Sequence, residues 1–191
     1  MKNAIFLLST IALSASAYAA QPKDQDMYFY LGSGNIGYET PKFGSNTESE
    51  LANPHITIGW GKNINEYFSV EGVVRYTQSE LKFQPTSEKI NLHYYQFGVS
   101  GLATSPYLGD TPFKLFGRAS ALLTQAEMYI ESLDNVDDNS GVMFNVGGGL
   151  QWDIDQNFWL KAEYVYGFAD VELDDFYDKY DGFQISIGKN F

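Results

Sequence analysis

Apolar and polar residues alternate with a period of two along most of the chain. The pattern is clearest in the last segment, 181–191, where Phe183, Ile185, Ile187 and Phe191 share one parity and polar or small residues occupy the other. Since successive side chains of a β-strand point to opposite faces, this alternation predicts a strand with one apolar and one polar face. Such a strand suits either a soluble barrel or sandwich, or a membrane barrel whose apolar face meets lipid.

The same alternation recurs in seven earlier segments, so we predict eight strands in all. The earlier segments are residues 27–37, 54–62, 67–78, 92–103, 112–129, 140–154 and 158–169. Short turns alternate with long polar loops, which we place at residues 38–53, 79–91, 130–139 and 170–180. This rhythm is typical of an antiparallel up-and-down β-barrel that crosses a membrane. The predicted fold class is therefore an all-β, eight-stranded transmembrane barrel, with both chain ends on the side of the short turns.

Charged residues indicate which face of the predicted strands meets lipid. Six of them fall on the polar parity: Glu71, Arg75, Lys114, Arg118, Lys161 and Glu163. The opposite parity is rich in Phe, Tyr, Leu and Val, which would overfill the interior of an eight-stranded barrel. We therefore expect the small and polar residues to fill the lumen. We expect the charged residues there, except Lys114, to pair with one another, because an unpaired buried charge is costly. A closed plug and a gated pore both remain open.

The N-terminus has the features of a cleaved signal peptide. Lys2 is followed by an apolar stretch at residues 4–13, and Ala17 and Ala19 fit a small-x-small cleavage site. The apolar stretch is too short for a membrane anchor helix, which is the alternative. We assign residues 1–19 to the signal peptide and residues 20–191 to one barrel domain.

Amino-acid composition limits the kinds of binding partner and site that we expect. The chain has 14 Tyr, 14 Phe and 3 Trp, which suits the two aromatic girdles of a membrane barrel. It has no Cys and a formal net charge of −12, which argues against disulfides, thiolate metal sites and nucleic acid as a partner. We expect no cofactor.

Taken together, these features resemble the eight-stranded outer-membrane β-barrel family that includes OmpX, the opacity proteins and the barrel domain of OmpA. The resemblance is carried by the leader, the eight segments, PFKLFGRASALL at residues 112–123 and the terminal ISIGKNF. It implies a monomer in the bacterial outer membrane, in contact with membrane lipid and lipopolysaccharide. It also implies that the assembly machinery reads the last strand, through Phe183, Ile185, Ile187 and Phe191.

Acidic residues are concentrated in the fourth predicted loop. They are Asp170, Glu172, Asp174, Asp175 and Asp178. Carboxylates suit divalent cations, but their spacing matches no calcium-binding loop. The loop could be a solvated acidic surface, or it could bind lipopolysaccharide phosphates through bridging cations.

The two histidines are the only candidates for a lipid A deacylase, which needs a serine nucleophile and a histidine base. His55 and His93 both follow long loops, so we expect them near the outer rim. Neither is followed by a serine in a suitable pattern. We therefore expect a non-enzymatic outer-membrane protein with a plugged lumen, acting through its acidic loops in surface interaction or envelope integrity. A narrow solute pore and a lipid A-modifying enzyme are the alternatives.

Overall fold

The computed structural model of the protein describes residues 26–39, 47–49, 53–83, 88–130, 136–169 and 179–191, which form β-strands and turns. The strands are β1 (Met27–Glu39), β2 (Thr47–Ser49), β3 (Pro54–Asn63), β4 (Phe68–Phe83), β5 (Glu88–Tyr107), β6 (Phe113–Ile130), β7 (Val136–Asp153), β8 (Phe158–Ala169) and β9 (Lys179–Asn190). The described residues include no helix long and apolar enough to cross a membrane. The signal peptide assigned to residues 1–19 lies outside them.

Eight of the strands close into one antiparallel barrel, and the short β2 extends the sheet beside β4. Neighbours around the barrel are β4, β3, β1, β9, β8, β7, β6 and β5, and pairing of β5 with β4 completes the circle. Pairing partners followed around the barrel from Tyr28 in β1 return to β1 at Tyr38, so the closed sheet is staggered and the strands tilt. The predicted eight-stranded up-and-down barrel is confirmed.

Apolar side chains of the strands project outward, as predicted. In β1, whose facing the sequence leaves ambiguous, Tyr28 and Tyr30 point into the lumen while Phe29 and Leu31 are exposed. The outer face carries a continuous band of exposed large apolar side chains: Ile56, Ile58, Trp60, Val74, Phe97, Leu115, Phe144, Val146, Tyr166, Phe168, Phe183, Ile185 and Ile187. A soluble barrel does not expose such a band to water, so the soluble alternative is excluded.

Two predicted loops are largely strand. Residues 79–91 are predicted as a loop, but β4 continues to Phe83 and β5 already begins at Glu88. Similarly, β7 begins at Val136, within the predicted loop 130–139, and the first loop contains β2. These extensions lie on the loop side of the apolar band, where no lipid demands an apolar outer face. Their sequence therefore loses the apolar alternation on which the prediction depends.

Short turns join the strands at one end of the barrel, which we call the turn end; the opposite end is the loop end. Asn65 and Asp155 organise two of these turns. The Asn65 side-chain oxygen accepts hydrogen bonds from the backbone N–H groups of Tyr67 and Phe68, and Asp155 does the same for residues 157 and 158. Asn and Asp favour tight turns because of such bonds.

The lumen is more apolar than predicted, since large aromatic side chains share it with small and polar ones. Tyr30 lies across its pairing partner Gly59, and Trp159 lies across Gly188. A Cβ atom at either glycine would overlap the aromatic ring. Glycines on the lumen parity therefore provide the space that lets rings lie flat against the wall.

We expect Gly149→Ala to destabilise the barrel by about 1–3 kcal/mol, the usual cost of overpacking. A Cβ atom at Gly149 would overlap the backbone carbonyl oxygen of Ala162 on the next strand. The measurement is urea unfolding in lipid vesicles, followed by tryptophan fluorescence.

Gly101→Ala is the matched control, because a Cβ atom at Gly101 meets nothing within 4 Å. It should change the unfolding free energy by less than about 0.5 kcal/mol. Equal effects of the two substitutions would contradict the steric overlap inferred at Gly149.

Candidate functional site

A cluster of four buried charged side chains crosses the lumen; we call it the charge cluster. Glu71 on β4 pairs with Arg118 on β6 (Oε2 to Nη1, 3.2 Å) and with Lys161 on β8 (Oε1 to Nζ, 3.7 Å). Arg118 also pairs with Glu163 (Nε to Oε1, 3.1 Å). The four side chains are at most 4% exposed. Because two cations face two carboxylates, the cluster is neutral as a whole.

Hydroxyl groups and rings complete the surroundings of this cluster. Tyr28 and Tyr30 donate hydrogen bonds to the two carboxylate oxygens of Glu71, at 2.7 and 3.1 Å. The Lys161 ammonium lies 4.2 Å from the ring centroid of Trp159, a cation–π contact. Glu71 thus receives two cations and two hydroxyl donors, which offsets the cost of removing its charge from water.

Two residues predicted with these charges have other partners. Arg75 faces the lumen, but its partners among the described residues are Thr57 Oγ1, the Tyr180 hydroxyl and Gln184 Oε1, at 3.1, 3.3 and 3.4 Å. Among the described residues, Arg75 therefore does not pair with a lumen carboxylate, contrary to the expectation. Lys114, which was not expected to join the pairing, lies at the turn end and pairs with Asp153 at 2.8 Å. Parity predicts which face of a strand a residue lies on, but it does not predict the position of that residue along the barrel axis. The sequence therefore could not predict these partners.

A polar layer surrounds Arg75 on the loop side of the charge cluster. His55 lies in this layer rather than at the outer rim, where the sequence placed it. Its Nε2 atom is 3.0 Å from Gln184 Oε1, and Thr57 donates to the same oxygen. Asn145 donates to the Tyr180 hydroxyl at 2.7 Å. The layer is thus held by amides and hydroxyls.

An apolar layer fills the lumen towards the loop end. It is built from buried side chains of seven strands: Ile36, Val73, Leu92, Tyr94, Leu122, Ala126, Met143, Val165 and Tyr180. Two of these side chains, Val73 and Tyr180, adjoin the polar layer. Sequence reasoning missed this layer because these strands carry apolar residues on both parities there. A departure from strict alternation near the loop end was the available signal.

The residues of the last strand that were predicted to form the assembly signal are exposed. Phe183, Ile185, Ile187 and Phe191 are exposed on the outer face, and the backbone N–H of Phe191 donates to Met27 O at 2.9 Å. The acidic residues predicted at the loop end, Asp170, Glu172, Asp174, Asp175 and Asp178, lie outside the described residues. In the part of the chain that the structure describes, no group of three His, Asp or Glu side chains could hold a metal ion.

We expect Arg118→Met to destabilise the protein by about 3–5 kcal/mol, because it leaves Glu163 buried without its cation. Adding Glu163→Gln should recover part of this loss by removing the excess charge. The measurement is urea unfolding of the single and double variants. Lys114→Met is the control: its pair with Asp153 is partly exposed and should cost at most about 1 kcal/mol. An additive double variant would contradict the coupling.

Solved structures with the same fold include three bacterial β-barrels. Neisserial surface protein A has a TM-score of 0.58 at 15% identity, covering 86% of this chain and 97% of that chain. Ail, the attachment invasion locus protein of Yersinia pestis, in complex with the heparin analogue sucrose octasulfate, has a TM-score of 0.55 at 16% identity, covering 88% and 100%. The N-terminal barrel domain of Pseudomonas aeruginosa OprF gives 0.54 at 15% identity, covering 87% and 98%.

The sequence itself identifies the family. A search of curated protein sequences gives no significant match. The family model of the outer membrane protein beta-barrel domain, however, matches residues 5–191, almost the whole chain. This match agrees with the closed eight-stranded barrel, its exposed apolar band and its structural neighbours. The chain therefore belongs to the outer membrane protein beta-barrel domain family and is a protein of the bacterial outer membrane.

Proposed function

We propose that the protein is a non-enzymatic outer-membrane barrel with a closed lumen, which acts through its extracellular end in surface interaction or envelope integrity. The observation that carries the closed lumen is the ion pair between Glu71 and Lys161. These residues lie on β4 and β8, which are diametrically opposite in the barrel. Side chains therefore bridge the full width of the lumen.

The two further layers support closure. A hydrated ion would have to separate the buried pairs of Arg118 and then pass the polar layer around Arg75. Towards the loop end it would meet the apolar layer, where it would lose its hydration without replacement. Three successive layers of different chemistry favour a plug over the narrow pore.

Histidine chemistry does not favour the alternative of a lipid A-modifying enzyme. His55 is bound to Gln184 inside the barrel, away from any lipid. His93 lies on the outer face, with Nδ1 at 2.6 Å from the Tyr76 hydroxyl. A serine hydrolase requires its histidine beside the serine nucleophile. Both contacts instead support structural or recognition roles.

The extracellular end is the part left to interact with other molecules. In this fold the short turns face the periplasm and the long loops face outward. Ail was solved with a sulfated heparin analogue. The net charge of −12 here argues against a polyanion as the direct partner. The acidic loop, from Asp170 to Asp178, is better suited to lipopolysaccharide phosphates bridged by divalent cations, and a barrel without a lumenal function suits a monomer.

Planar-bilayer recordings test closure. The wild-type protein should give no conductance steps, and Arg118→Ser should also stay silent because the apolar layer remains. A general porin in the same bilayer shows that the assay detects a pore. Reproducible steps in the wild type, altered in size by Arg118→Ser, would favour the narrow pore instead.

The exposed terminal ring is proposed to serve the outer-membrane assembly machinery. Phe191→Ala should slow accumulation of the protein in the outer membrane without changing its unfolding free energy, since the ring is 59% exposed. Pulse-chase fractionation measures the rate. Phe68→Ala, at a ring that is 55% exposed at the same end, should leave it unchanged. Equal slowing by both variants would refute a specific signal.

A further inference from the structure

The outer wall carries an unusual patch where β4, β5 and β6 leave the apolar band; we call it the aromatic patch. It consists of six outward-facing residues: Tyr76, His93, Tyr95, Gln125, Glu127 and Tyr129. Tyr76 pairs with Tyr95, which pairs with Gln125, so three of the six form one row across the strands. His93 and Glu127 are partners in the next row. The patch is therefore a compact surface of three neighbouring strands.

Its position is set by the apolar band beneath it. Val74, Phe97 and Leu123 form the neighbouring outward-facing row on the turn side of the patch, and Val74 and Phe97 are exposed. The lipid-facing band of such barrels is about 25 Å tall and ends at the interfaces. Because the patch follows the band on the loop side, it lies at the headgroup level of the outer leaflet.

Contacts within the patch orient its polar groups. The Tyr76 hydroxyl is 2.6 Å from His93 Nδ1, and the His93 ring meets Tyr129 edge to face with centroids 5.3 Å apart. Tyr129 donates to one oxygen of Glu127 at 3.1 Å, and Gln125 donates to the other at 3.3 Å. No described residue makes a hydrogen bond to His93 Nε2, which leaves that nitrogen available to a ligand.

We propose that the aromatic patch binds the saccharide headgroup of a glycolipid in the outer leaflet. The faces of Tyr95 and Tyr129, 43% and 41% exposed, offer a flat apolar surface for the C–H face of a sugar ring. The Glu127 carboxylate, the Gln125 amide and His93 offer acceptors and donors for its hydroxyl groups. Acyl chains of the same lipid lie along the exposed band below.

Charge indicates a saccharide rather than a phosphate as the recognised group. The six positions carry no Lys or Arg, the residues that bind phosphate most strongly, and they include one carboxylate. A phosphate would meet repulsion from Glu127, whereas sugar hydroxyls can donate to it. The inference deepens the proposed envelope role and rests on the same orientation of the barrel, with its loop end towards the cell exterior. It does not depend on the lumen being closed.

Lipid selection by the full-length folded barrel tests the proposal. Protein is equilibrated in phosphatidylcholine vesicles that contain equal amounts of digalactosyl diacylglycerol, an uncharged glycolipid, and phosphatidylglycerol. Native mass spectrometry then measures which lipids the extracted protein retains. Wild type should favour the glycolipid, and Tyr95→Leu with Tyr129→Leu should reduce that preference roughly fivefold. Glu127→Gln should reduce it in the same direction.

A matched control lies on the opposite side of the barrel. Tyr164 and Tyr166 on β8 face outward and are 43% and 41% exposed, equal to the exposure of the two patch tyrosines. Replacing both by Leu should leave glycolipid preference unchanged. Every variant is first checked for the heat-dependent band shift on SDS gels that marks a folded barrel. If the patch double variant does not fold, Tyr129→Phe, which removes only the bond to Glu127, replaces it.

Three outcomes would overturn the proposal. One is equal retention of phosphatidylglycerol and the glycolipid by wild type. Another is an equal loss from the patch and control variants, which would mean an unspecific aromatic girdle. The third would come from a parallel mixture in which lipid A replaces phosphatidylglycerol: retention of lipid A without retention of the uncharged glycolipid would assign binding to phosphate. None of these outcomes bears on conductance, so failure here and failure of the closed lumen are distinguishable.

Discussion

The carboxylate of Glu71 is the constraint on which the interior depends. A charge buried inside a narrow barrel must be neutralised and hydrogen-bonded, or the fold is strongly destabilised. Its partners come from β1, β6 and β8, so one carboxylate requires four strands to hold a common register around the lumen. The stagger of the closed sheet brings these distant residues to one height. The charge cluster and the shape of the wall therefore specify each other.

The outer face was predictable for every strand except β1, whereas the interior was predictable only in part. Lipid imposes one demand along the whole outer surface, so alternation alone identified residues such as Phe144 and Ile185. The lumen requires a different kind of side chain at each position along the barrel axis. Parity placed both Arg75 and Arg118 inward, yet only Arg118 meets a carboxylate among the described residues. Height depends on tilt and stagger, which are properties of the closed sheet and not of any single strand.

The sequence also failed to predict where several strands end. The alternation of apolar residues records contact with lipid, and it stops where lipid stops even if the strand continues. For this reason the β4–β5 hairpin extends well into a segment that looked like a polar loop. The same transition marks the aromatic patch, where Tyr76 and His93 take over from purely apolar neighbours. Patterns of this kind locate the membrane interface more reliably than they locate the ends of strands.

Unequal strand lengths make the extracellular rim oblique. β5 has 20 residues and β6 and β7 have 18 each, whereas β3 has 10 and β8 and β9 have 12. Among the described residues, one flank of the barrel therefore continues further above the membrane as a hydrogen-bonded sheet than the other. Such a raised flank makes the extracellular end of the protein asymmetric in the plane of the membrane. A large molecule arriving from outside can therefore meet the wall of β5, β6 and β7 itself, a surface that the membrane leaves uncovered.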